Sequence, residues 1–276
     1  MEKGWSAAQG NKDAELKVIS LGMGVQSTAV YLMSSMGYKL PRADYAVFAD
    51  PQAEHYKTYE LLEWLKDWQK KNDGIEIIVN KDHNIKKDVF AGENKSGGKW
   101  ATIPAFGESG GMVMRQCTND YKIQPVRNSV RKLYKLKKRQ RMKPTEMWLG
   151  ISTDEIQRMK WSRMYNIEYF YPLIYHNISR NDCVKFFKDN NFPVPVKSSC
   201  VFCPFHSDKF WLDIKKENGD AWKDSVRADR AIRDSSARGV KDKLYLHRSL
   251  KPLEEVDLNE DQLDLFEEEC EGYCGL

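Results

Sequence analysis

Apolar positions along the chain fall into alternating strand-like and helix-like runs. Val18, Ile19 and Leu21 form a short β-branched run, Gly22 and Gly24 punctuate a tight turn, and Ser27 and Thr28 open a run with helical spacing at Ala29, Val30, Leu32 and Met33. That pattern predicts strand, glycine loop, helix. Residues 44–49 (D-Y-A-V-F-A) predict a second strand that ends in Asp50, and 75–79 a third. Between them, 55–71 carries a helical stripe at Tyr59, Leu61, Leu62, Trp64, Leu65 and Trp68. The β-α-β-α-β order predicts an α/β fold with a doubly wound, mostly parallel sheet.

Further along, 146–151 reads as another strand and runs into Ser152-Thr153-Asp154-Glu155, a helix-capping pattern. Ser179 caps a predicted helix over 180–190, which Phe192-Pro193-Val194-Pro195 stops, and 208–217 and 221–234 read as helices. The expected organisation is a polar leader (1–15), an α/β nucleotide-binding domain (16–198) and a Cys-containing helical C-terminal region with a tail (199–276). No internal repeat is visible.

The glycine loop is where chemistry is first expected. A helix start leaves N–H groups unpaired and carries the positive end of the helix dipole, which suits a phosphate, and glycines let the backbone approach it. No Lys precedes Ser27, so this is not a Walker loop, and Ser27 stands where a dinucleotide loop needs a third Gly. An ordinary strand-to-helix turn is the bland alternative. Asp50, at the carboxyl end of the second strand, is placed to meet Mg²⁺ or a ribose hydroxyl. The segment 92–114 holds Gly92, Gly97, Gly98, Gly107, Gly110 and Gly111 and reads as a lid over a nucleotide or as plain disorder. The run from Arg127 to Lys143 is dense in Lys and Arg, with Tyr134 and Met142 interleaved; it suits a nucleic-acid backbone or a solvated helix face.

Composition narrows the setting. The 276 residues suffice for one large domain or two small ones, and the net charge of +4 is too mild to name a partner. No apolar run approaches the ~20 residues of a membrane-spanning helix, and the first ten residues lack the apolar core of a signal peptide. Six cysteines without an export signal read as metal ligands or reactive thiols in a reducing cytoplasm.

Several motifs in order resemble one family. Residues 22–28 (G-M-G-V-Q-S-T) resemble the S-G-G-x-D-S/T loop of PP-loop ATP pyrophosphatases (adenine nucleotide alpha hydrolase-like), with Gln26 where Asp is usual. Arg115-Gln116-Cys117 with Lys122 and Pro125 resembles the C-C-x-x-x-K-x-x-P segment of the phosphoadenosine phosphosulfate (PAPS) reductase-like branch, Gln116 replacing the first Cys. Residues 150–155 with Arg158 resemble its G-x-R-x-D-x-x-x-R segment, and Tyr171-Pro172-Leu173-Ile174 with Ser179 and Asp182 its Y-P-L-x-x-W-x-x-x-D-V segment. Cys200 and Cys203 stand where those enzymes have a second Cys pair. The resemblance covers roughly residues 17–206.

Cys200-x-x-Cys203 is by itself a metal-ligand spacing, and thiolates select zinc or iron–sulfur. Two buried thiols, or a zinc site completed by Cys270 and Cys274 or by His206, are also open. The resemblance implies that Cys117 joins Cys200 and Cys203 on a [4Fe–4S] cluster, whose last iron takes Cys270, Cys274, a small thiol or a sulfide. Cys183 lies mid-helix among Val184 and Phe186 and reads as core. The C-terminal Cys274-Gly275-Leu276 matches the C-G-L of sulfonucleotide reductases, but Tyr273 replaces Glu and no His follows. Cys274 is thus a mobile nucleophile, a ligand or half of a disulfide relay with Cys270.

Taken together, the resemblance implies an ATP- and Mg²⁺-dependent enzyme that adenylates a nucleic-acid base carbonyl and replaces its oxygen with sulfur. Gly22, Gly24, Gln26, Ser27 and Thr28 would bind the nucleotide, and Asp50, Lys122, Arg158 and Cys274 would act in the chemistry. Its partners would be tRNA or DNA and a sulfur-donor protein. A sulfonucleotide reductase and a non-catalytic nucleotide-binding module of a defence or regulatory complex are the rival expectations; Gln26 is the main support for the last.

Overall fold

The computed structural model describes residues 10–11, 13–92, 103–113, 115–234 and 240–258. The chain enters the sheet at β1 (Leu16–Ser20), turns into α1 (Val25–Met36), returns as β2 (Tyr45–Ala49), and continues through α2 (Tyr56–Lys71), β3 (Glu76–Asn80) and the short α3 (Ile85–Ala91). After a two-residue strand, β4 (Phe106–Gly107), a π-helical segment Asn119–Ile123 runs directly into α4 (Gln124–Leu133). Then come β5 (Thr145–Trp148), a 3₁₀ turn Thr153–Arg158, β6 (Ile167–Phe170), α5 (Pro172–Tyr175), α6 (Arg180–Asp189), α7 (Asp208–Glu217), α8 (Gly219–Arg233) and β7 (Leu244–Tyr245).

Five strands make one sheet in the order β3-β2-β1-β5-β6, every pair parallel. Successive side chains of a strand point to opposite faces, so Ile19, Ala46, Phe48 and Trp148 enter one core with α1, α2 and α6, while Val18, Val47, Ala49 and Met147 enter a second with α4. Both faces are covered, as a parallel sheet requires. The fold is a doubly wound α/β sheet. Its strand order reverses between β1 and β5, and in such sheets the crevice beyond the strands' carboxyl ends at that reversal is where ligands bind.

A third core belongs to the C-terminal region. Val201, Phe202, Trp211, Ile214, Ala228 and Ile232 pack there with Ala53, Ile85, Val89, Ile103, Ala105 and Tyr121 from the middle of the chain. The C-terminal helices therefore pack against α3 and the π-helical segment.

Residues 103–113 differ from the expected lid. Phe106 and Gly107 pair antiparallel with Tyr245 and Leu244, Val113 N–H donates to Ala105 O at 2.9 Å, and Glu108 N–H to Lys243 O at 3.0 Å. Gly110 and Gly111 supply the positive φ of the tight turn (+100° and +85°). The glycines here serve a hairpin stitched to the C-terminal region; the rest of the proposed lid, 93–102 and Met114, lies outside the described residues. Among the described residues no helix is long and apolar enough to cross a membrane.

Candidate functional site

The loop after β1 is shaped by three local features. Leu21 N–H donates to Val47 O at 2.9 Å, which carries the strand direction past Ser20. The next residue but one, Met23, takes the left-handed conformation (φ +64°) and is fully buried. The sequence assigns this tight turn to Gly22 and Gly24, neither of which has positive φ; burial of the Met23 side chain offsets its strain. Gly24 is the N-cap of α1, and a Cβ added to it would meet nothing within 4 Å. Gly24 thus leaves ligand space open rather than enabling the turn.

The Ser27 hydroxyl accepts Gly22 N–H at 3.1 Å and donates to Gly24 O at 3.3 Å, so it braces the loop from inside. Thr28 is fully buried, its Oγ1 has no hydrogen-bond partner, and it does not line the cleft. No side chain caps α1 and no acid occupies its first turn. By contrast α2, α3, α6, α7 and α8 are capped by His55, Asn84, Ser179, Ser207 and Asn218. Among the described residues no side chain takes up the first-turn N–H groups of α1.

The facing wall comes from the end of β5. A Cβ on Gly150 would lie 2.5 Å from Ser27 N and 2.6 Å from Ser27 Cα, so only glycine lets β5 approach the start of α1 this closely. Beyond it, the 3₁₀ turn sets Glu155 between Gln26 and Arg158: Gln26 Nε2 donates to Glu155 Oε2 at 3.2 Å, and Arg158 Nη1 pairs with the same oxygen. Arg158 Nε is buried without an acceptor. Asp154 instead caps α6, accepting Arg180 N–H at 2.6 Å.

These walls enclose a cleft that opens to solvent at the carboxyl ends of the strands. Gly22, Gly24, Gln26, Ser27, Phe48 and Tyr169 line it, with Lys122, Arg127, Arg158 and Lys197 as its charged groups. Among the described residues no Asp or Glu lines it. Four cations line the cleft, two of them ion-paired (Lys122 with Glu54, Arg158 with Glu155), a lining that suits an anion. Arg127 and Lys197 received no role at this site from the sequence: they come from α4 and from the extended segment before Cys200, far apart in the chain, and no spacing links them.

Asp50 is not in the cleft. Its Oδ1 accepts Gln52 N–H at 2.7 Å and the Tyr59 hydroxyl at 3.0 Å, and Lys81 Nζ lies 3.7 Å from Oδ2. Burial and the Asp50 carboxylate push the Tyr59 phenol well up, which keeps it a donor. The Asp50 carboxylate is buried among these partners.

A second pocket lies beside the first. Cys117, Cys200 and Cys203 all line it, with Arg115, Thr118, Tyr121, Ser199 and Phe202. Cys117 stands at the entry to the π-helical segment, a distortion that is frequent at functional sites. Cys203 N–H donates to Cys200 O at 3.0 Å, and His206 Nε2 lies 2.8 Å from the same carbonyl. Burial lowers the His206 pKa to about 3, so a neutral ring braces the Cys-x-x-Cys turn. The Thr118 and Ser199 hydroxyls are buried there without partners. Among the described residues no group of three or more His, Cys, Asp and Glu is arranged to hold a single metal ion. Cys270 and Cys274 lie outside the described residues. Cys183 is buried in α6, its thiol pushed up to about 12 by desolvation.

Lys122 lines both pockets. Its Nζ lies 3.0 Å from Glu54 Oε1, and Ser198 Oγ donates to Glu54 Oε2 at 2.9 Å. Glu54 in turn forms a β-bridge with Cys200. One buried carboxylate therefore ties the cation of the cleft to the backbone of the cysteine turn.

No protein-family model matches the chain, and no curated protein matches it. A solved structure, phosphoadenylyl-sulfate (PAPS) reductase from Candida auris in a phosphate complex, overlaps 67% of this chain and 76% of its own, at 12% identity and a TM-score of 0.40. An overlap that loose establishes neither kinship nor reaction. The fold class rests on the sheet order itself.

Proposed function

We propose that the chain is a nucleotide-dependent enzyme of the PP-loop kind, which binds ATP in the cleft and activates a nucleic-acid base for replacement of oxygen by sulfur. The observation that supports this most is that an α1 N-terminus with no side-chain cap and the side chains of Lys122, Arg127, Arg158 and Lys197 line one cleft. The motif order noted in the sequence adds the reaction class.

In this reading the α1 first-turn N–H groups and the bare Cα of Gly24 receive the phosphates. Arg158 offers its unpartnered Nε–H to them. A base carbonyl oxygen attacks the α-phosphorus, the bond to the bridging oxygen breaks, and pyrophosphate leaves with that electron pair. Lys122 and Arg127 stabilise the charge that develops. A hydrosulfide sulfur from a donor then attacks the activated carbon; the carbon–oxygen bond breaks, AMP departs and the S–H proton goes to solvent. Among the described residues no carboxylate lines the cleft, and Asp50 bonds to Gln52 N–H and the Tyr59 hydroxyl.

The three thiols of the second pocket suit a [4Fe–4S] cluster, whose ligands spread around a cage, better than one zinc ion. Cys117, Cys200 and Cys203 would hold it, with Cys270 outside the described residues as a candidate for the last iron. When bound, such a cluster supplies sulfide handling or electron storage. Lys122 and Glu54 set the spacing between that pocket and the nucleotide.

A sulfonucleotide reductase is the second reading, favoured by the C-terminal C-G-L. The assay that tests both follows the products. Pyrophosphate and AMP formed from ATP with tRNA or DNA and a sulfide source support thiolation. Sulfite from a sulfonucleotide, with no pyrophosphate from ATP, overturns it in favour of reduction.

A further inference from the structure

Large aromatic side chains left in water need a reason, since burying them stabilises a protein. Trp161 is 54% exposed and Tyr165 64% exposed. Both stand in the turn that leads from Arg158 to Met164 and on to β6. Arg158, Met164 and Tyr169 each line the cleft, so Trp161 and Tyr165, which fall between them, stand at its rim.

The turn is held, not frayed. The Tyr171 hydroxyl accepts Lys160 N–H at 3.0 Å and donates to Lys160 O at 2.8 Å. Ser162 Oγ accepts Met164 N–H at 3.1 Å, and Asn166 Nδ2 donates to Met142 O at 2.8 Å. Lys160 and Arg163 are exposed in the same turn. The Arg141 guanidinium lies 5.5 Å from the centre of the Tyr165 ring, which joins the turn to the exposed Lys137, Lys138 and Arg139. Arg131 fixes that second stretch by donating to Gln140 O at 2.9 Å and Lys137 O at 2.8 Å. Residues 131–143 and 156–165 contain no Asp or Glu.

Aromatic faces set among cations match unpaired nucleic acid, whose bases stack on the rings while its phosphates meet the charges. A duplex keeps its base faces inside and would leave both rings unused. An acidic protein partner would use the cations but give the rings no matching planes.

We propose that Trp161 and Tyr165, with Lys160, Arg163 and Arg141, form a stacking platform that holds a single-stranded stretch of nucleic acid at the mouth of the cleft. This rests on the reading of the cleft as a base-modifying site and narrows its substrate to unpaired bases. Neither ring lines the nucleotide cleft, so strand binding and ATP binding are separable.

The test is fluorescence anisotropy of the full chain with labelled RNA and DNA single strands of about 15 nucleotides, and with duplexes of the same sequence, alongside calorimetric ATP titration. The expected result is preference for the single strand, weakened about tenfold or more in Trp161→Ala and in Tyr165→Ala. Trp161→Phe should retain most of the binding, and Arg163→Gln should reduce the salt slope by about one. ATP affinity should stay unchanged in all four variants. Equal strand affinity in the two alanine variants, or preference for duplex, overturns the platform. Failure of the wild-type chain to bind any strand while still binding ATP also overturns it and turns the patch into a candidate protein-docking surface. Single-strand binding that depends on both rings, with no ATP binding, supports the platform and overturns the cleft reading alone.

Discussion

Gly150 has no side chain because Ser27 occupies the space: the nearest backbone atom is 2.5 Å from where a Cβ would sit. Gly150→Ala must push β5 away from α1 or tilt the loop, a packing fault of about 1–3 kcal/mol. We expect a lower melting temperature and weaker ATP binding together, read by thermal denaturation with and without nucleotide. Cys183 gives the opposite kind of residue-scale prediction. Its thiol is raised to about 12 by burial, and a raised pKa makes the reactive thiolate scarcer at any given pH below it. Cys183 should therefore resist alkylation at mildly alkaline pH until the chain is unfolded, as mass spectrometry after labelling would show; early labelling would contradict its burial.

At the scale of elements, periodicity carried most of the fold. The stripes of α1, α2, α6, α7 and α8 and the apolar runs of β1, β2, β3 and β5 stand out because each buries one face or one whole strand. What escaped has physical causes. β6, with the run I-E-Y-F, carries an exposed Glu168 and was hidden inside a motif. α3 is seven residues long, too short for a stripe. The left-handed turn belongs to Met23, and nothing in a methionine announces positive φ. The glycine-rich segment was legible as unusual but not as a hairpin, because its partner strand β7 lies over a hundred residues away. The cysteine turn makes the element-scale prediction. Cys117, Cys200 and Cys203 line one pocket, so the three should act as one set. Cys200→Ser should abolish the brown colour and visible absorption of anaerobically purified protein; an unchanged spectrum would remove Cys200 from the ligands.

For the whole molecule, what matters is that two pockets share one lysine. The doubly wound sheet brings the β1 loop and the end of β5 to the crevice at its reversal point, and the C-terminal core clamps the cysteine turn beside it. Glu54 and Lys122 join the two. The sequence singled out the loop glycines, Gln26, Ser27, Lys122 and Arg158, all of which line the cleft, and Asp50 and Thr28, which do not. It could not foresee the cationic lining, because Arg127 and Lys197 meet only in the folded chain. The measurement that tests the account most directly is calorimetric titration of ATP into the wild-type chain and into Arg158→Ala. Saturable binding that weakens about tenfold or more when this guanidinium is removed is the predicted result. No binding by the wild type, or equal affinity in the variant, would contradict the nucleotide cleft.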